Sequence, residues 1–94
     1  MRVNGVIWLR DVVQKLASKH QVEIYEVEQA LQNKSKFRFV EKGERKGEDV
    51  YSALGKTDAG RYLTVLFIWK TNKEALVLSA RDMASKERRQ YGKK

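Results

Sequence analysis

The sequence predicts an α+β protein: two N-terminal helices, a three- to four-stranded antiparallel sheet, and a short C-terminal helix. Three observations carry this reading. Apolar residues recur at helical spacing as far as Asn33, the period changes to two from Lys36 onward, and the later strands follow one another through turns too short for crossover helices.

Behind Leu9, the residues Val12, Val13, Leu16 and Ala17 share a face, with Arg10, Gln14, Lys15 and Ser18 turned away. This spacing predicts an amphipathic helix over residues 9–19, with Trp8 as a core aromatic anchoring its start. A break at Lys19-His20-Gln21 precedes a second helix. Ile24, Val27, Ala30 and Leu31 form its apolar stripe, Glu23, Glu26 and Glu28 occupy its first turns where the helix dipole favours carboxylates, and Asn33 ends it.

Phe37 and Phe39 alternate with Lys36 and Arg38, which predicts a strand with one buried face. Residues 42–48 read as an exposed, mixed-charge hairpin loop, residues 50–56 as the next strand, and Asp58-Ala59-Gly60 as a turn. The nearly unbroken apolar run 62–69 predicts a central strand covered on both faces. Residues 75–80 supply the last strand, and residues 83–91 a short basic helix before a frayed tail.

At 94 residues the chain is expected to form one domain, 1–94, with a modest core. It has no cysteine and one histidine, which argues against disulfides, thiolate zinc or a protein-only metal site. No apolar run reaches the ~18 residues of a membrane span, and the N-terminus lacks a secretory pattern. A cytoplasmic protein without a membrane partner or cofactor is expected. The formal charge of +8 lies wholly after Asn33, a field suited to a polyanion or an acidic protein partner.

The most specific motif is Leu78-Ser79-Ala80-Arg81, followed by Glu87-Arg88-Arg89-Gln90-Tyr91. With Trp8 twelve residues before His20, the Lys19-His20 pair, Val22, Glu26, Gly55 and Gly60-Arg61, this pattern resembles the BrnT toxin family over roughly residues 8–91. Three positions depart from the family's habit: Leu9-Arg10 stands for Asp-Pro, Gln21 for glycine, and Ala84 for a capping threonine. A different turn is therefore expected at Gln21, and a last helix without its cap, worth about 1 kcal/mol. The resemblance implies a RelE-like fold, ribonuclease activity that arrests translation, and neutralisation by a cognate BrnA-like antitoxin. Promoter DNA would be contacted only through that antitoxin.

A metal-free ribonuclease uses the RNA 2′-hydroxyl as nucleophile and needs proton-transfer groups with a cationic clamp on the phosphorane. Arginine suits the clamp through its paired donors and permanent charge. Arg81 is the first candidate, with Arg88 as the safer partner and Arg61 as the other. Arg61 and Arg81 are expected at opposite edges of neighbouring strands. Arg88 and Tyr91, three apart, share a helix face, whereas Arg89 points about 100° from Arg88.

Tyr91 is a candidate proton donor or base-stacking ring, equally readable as packing. His20 is the residue type suited to acid–base work near neutrality, although a histidine past a helix end more often serves terminal carbonyls. Lys19, Lys86 and Arg89 are candidate RNA contacts, and Glu87 a weaker proton-transfer group. Two other readings fit the same basic surface: a non-catalytic RNA- or ribosome-binding module, and a protein-interaction module receiving an acidic partner.

Overall fold

A computed structural model describes residues 1–93. Strand β1 (Gly5–Ile7) leads into helix α1 (Arg10–Lys15), which continues as a π-helical turn over Leu16–His20 before α2 (Ile24–Gln32). Four strands follow, β2 (Lys36–Glu41), β3 (Val50–Lys56), β4 (Tyr62–Trp69) and β5 (Glu74–Asp82), and α3 (Ser85–Gly92) ends the chain.

The α+β class holds, but the sheet is five-stranded and mixed, in the order β1-β5-β4-β3-β2. The expected antiparallel strands are present, and the extra strand β1 pairs with β5 in parallel, Val6 opposite Ala75. Three residues are too few for a period of two to register. The first helix is also shorter than its apolar stripe suggests, because its last turn widens to π geometry.

At the break, Gln21 adopts the left-handed conformation at φ 54 and ψ 42. The turn is thus of the kind glycine makes, contrary to the expectation that Gln21 would change it. A non-glycine residue adopts it at a cost of roughly 1 kcal/mol.

The core lies between the helices and one face of the sheet. Val27, Ala30 and Leu31 of α2 and Leu16 of the π turn meet Ala53, Leu63, Val65, Phe67, Ala75 and Val77, all buried. Gly55 permits α2 to approach β3 closely, since a Cβ there would overlap the Ala30 carbonyl.

β4 is central, but its two faces are not equally covered. Leu63, Val65 and Phe67 are fully buried beneath the helices, whereas Leu66 and Ile68 on the reverse face are half-buried. There α3 covers only the end of the sheet where β4 begins and β5 finishes. Among the described residues no helix is long and apolar enough to cross a membrane.

Candidate functional site

The predicted site residues divide between the two faces of the sheet. On the helix-covered face, the Arg61 guanidinium binds Asp82 through Nε and Nη2 at 2.7 and 3.2 Å. It also binds Glu26 at 3.1 Å and the carbonyls of Gln21 and His20 at 2.7 and 3.1 Å. One side chain therefore fastens the π-helical C-terminus, the first turn of α2 and the end of β5 together. Its own pKa is raised, chiefly by the hydrogen bond to Asp82. In return Arg61 holds the Asp82 carboxyl below the usual carboxylate range, His20 adding a smaller pull. His20 and Lys19 belong to this side, at the end of the π turn.

Arg61 and Arg81 do not lie at opposite edges. A hairpin brings the start of β4 beside the end of β5, so Leu63 faces Asp82 and Thr64 faces Arg81. What separates the two arginines is strand alternation: consecutive residues face opposite sides, and Arg81 falls on the side of α3.

On that reverse face the rows Lys36, Leu54, Thr64, Arg81 and Arg38, Ser52, Leu66, Ser79 run across four strands. Arg81 grips Glu87 of α3 in a two-pronged pair at 2.7 and 2.9 Å. Glu87 also accepts from the Ala84 backbone N–H at 2.8 Å, supplying the start of α3 with the cap that Ala84 cannot. The Arg81 fork first, then the Ala84 N–H, and last the facing Thr64 hydroxyl bring the Glu87 carboxyl down to about 2 against an opposing effect of burial. The Thr64 hydroxyl is buried and too poorly aligned to count as a hydrogen bond. A carboxylate held this low stays ionised near neutrality and is unsuited to proton transfer there, which corrects the expectation for Glu87.

Between α3 and the strands lies a recess of about 440 Å³, lined among others by Lys36, Arg38, Ser52, Lys86 and Gln90. Lys36 crosses to the carbonyls of Gln90 at 3.2 Å and of Lys93, strapping the C-terminal end of α3 to β2. The Arg88 guanidinium lies 4.1 Å from the Tyr62 ring centre, and the Lys56 ammonium 5.1 Å from it. Tyr91 meets Tyr62 edge-on at 6.0 Å, as the shared face of Arg88 and Tyr91 requires. Arg89 is exposed on the same helix.

Among the described residues only Arg61 and Arg81 pair with carboxylates. Arg38, Lys56, Lys86 and Arg88 do not, and they surround one helix. Arg81, Arg88 and Arg89 thus share an element or its support, but their guanidiniums do not converge on one point. Sequence reasoning missed Lys36, Arg38, Lys56 and Tyr62. For the first two a signal existed, since alternation with Phe37 and Phe39 places both on the face away from the core.

A family model described as a ribonuclease toxin, BrnT, of type II toxin–antitoxin systems matches residues 8–87. No curated protein matches the chain.

Proposed function

The chain belongs to the BrnT family of ribonuclease toxins of type II toxin–antitoxin systems, and from that membership we propose that it cleaves RNA on the α3 face of its sheet. Its substrate is RNA and its partner a cognate antitoxin. The observation that carries the placement is the set of cations around α3 that no carboxylate neutralises, beside a recess open to solvent.

In this reading Arg38, Lys86 and Arg89 hold RNA phosphates, and Arg88 stabilises the charge that builds on the scissile phosphate. Arg81 positions α3 through Glu87 and is not itself the clamp. Tyr91 fixes the Tyr62 ring. Arg61 holds the fold from the other face, where Lys19 and His20 also fall outside the cleavage site. The reaction is metal-independent: the 2′-oxygen attacks phosphorus, and a 2′,3′-cyclic phosphate and a 5′-hydroxyl result.

Around this chemistry we set a single domain with a RelE-like arrangement, working in the cytoplasm to arrest translation. A BrnA-like antitoxin neutralises it and carries any contact with promoter DNA. The test is cleavage of a defined single-stranded RNA in excess EDTA. Cyclic-phosphate ends are expected, and a 2′-deoxy residue at the cut site should abolish the cut. Loss of activity in EDTA that added metal restores, or cutting at the deoxy residue, contradicts the mechanism. RNA bound with salt sensitivity but recovered intact favours the non-catalytic binding module.

A further inference from the structure

We propose that Tyr62 is the general acid of the cleavage, donating its phenolic proton to the departing 5′-oxygen. The assignment rests on RNA being cut on the α3 face, as proposed above, and adds the group that the cation set lacks. In-line attack forms the bond from the 2′-oxygen to phosphorus and breaks the bond from phosphorus to the 5′-oxygen. The leaving alkoxide must gain a proton, and a positioned acid contributes roughly 10²–10⁴-fold to such a step. Neither carboxylate in the two ion-pair clusters suits the task, because Glu87 and Asp82 are both held ionised by arginines.

The four tyrosines are not equivalent. Tyr25 is exposed on α2, and Tyr51 packs among Phe39, Phe67 and Trp69 on the helix-covered face. Tyr91 meets the Lys36 ammonium at 5.9 Å and otherwise braces Tyr62. Tyr62 alone stands between two cations from two elements, Lys56 of β3 and Arg88 of α3. Lys56 first and Arg88 second pull its hydroxyl below the usual phenol value.

A base-stacking role is disfavoured by the same geometry. Arg88 already lies over the ring and Tyr91 meets it edge-on, so a nucleobase would have to displace one of them. A planar guanidinium stacked on a ring keeps its N–H edge directed outward, the orientation that grips phosphate. The clamp and the phenol are therefore adjacent by construction. After donation the phenolate rests beside Lys56 and Arg88 until water reprotonates it. Water receives the 2′-hydroxyl proton, so protons balance over the turnover.

The test compares the wild type with Tyr62→Phe on two RNAs, one ordinary and one with sulfur replacing the 5′-bridging oxygen at the cut. On ordinary RNA the variant should lose roughly 10²–10³-fold in kcat, with RNA affinity within about 2-fold of wild type. On the sulfur-bridged RNA, whose thiolate leaves without a proton, it should cleave within about 3-fold of wild type. In the wild type kcat should fall at alkaline pH as Tyr62 ionises, and Lys56→Met should move that fall to higher pH. Equal impairment on both substrates, or no impairment on ordinary RNA, overturns the assignment. A normal rate for Arg88→Ala on ordinary RNA contradicts the placement of the site itself, whatever Tyr62 does.

Discussion

Arg61 and Arg88 are the same kind of side chain near the same end of the sheet, and the structure uses them in opposite ways. Arg61 directs its donors at two carboxylates and two carbonyls of the protein and ties three elements together. Arg88 rests on an aromatic ring with no carboxylate partner. A guanidinium whose donors are satisfied internally stabilises the fold and offers little to a ligand. One with its edge left open costs the fold little and is available to phosphate. Partners decide the role, and the sheet between the two faces keeps the roles apart.

Four changes probe this contrast. The largest effect is expected for Arg88→Ala, which should lower RNA cleavage by roughly 10²–10³-fold with little change in the urea unfolding midpoint. The mirror case is Arg61→Met. It strands Glu26 and Asp82 and opens two terminal carbonyls, so unfolding free energy should drop by about 2–3 kcal/mol, while the folded fraction keeps near-normal cleavage. If Arg61→Met instead abolished cleavage without loss of stability, the division between faces would be wrong.

Acid probes the pair that fastens α3 to the sheet. The Glu87 carboxyl titrates lower in the folded chain, at about 2, than in the unfolded one. Its contribution is therefore fully present above the ordinary carboxylate value, at pH ~4–5, and is lost as pH falls toward 2. Because Arg81 is half exposed, the loss should amount to only about 1–2 kcal/mol. Stability against pH in Arg81→Ala should be visibly flatter over that window. The smallest effect is a gain: Gln21→Gly should add roughly 0.5–1 kcal/mol, because glycine adopts the left-handed turn without strain. Thermal unfolding checks this, and an unchanged or lower midpoint would remove the strain argument.

Local pattern explains why much of this was readable from the chain alone. The alternation at Phe37 and Phe39, the apolar run of β4 and the i,i+3 spacing of Arg88 and Tyr91 depend on neighbours, and each has its expected counterpart. The rest depends on distant pairing. β1 is three residues long and exists because β5 offers it an edge. The Arg61 partners, Glu26 and Asp82, lie 35 and 21 residues away, so no window around Arg61 contains them. Tyr62 reads as the first residue of a buried strand until Lys56 and Arg88 are brought beside it.

Whether RNA lies along the α3 face can be decided by the salt dependence of its binding. For single-stranded RNA, log K should fall linearly with log salt. Removing Arg38, Lys86 and Arg88 together should reduce that slope by about 2, at roughly 0.7 for each phosphate no longer neutralised. Removing Lys15 and Lys19 from the helix-covered side should leave it unchanged. An unaltered slope in the first variant, or an equal reduction in the second, would place the RNA elsewhere on the protein and contradict the division of roles between the two faces.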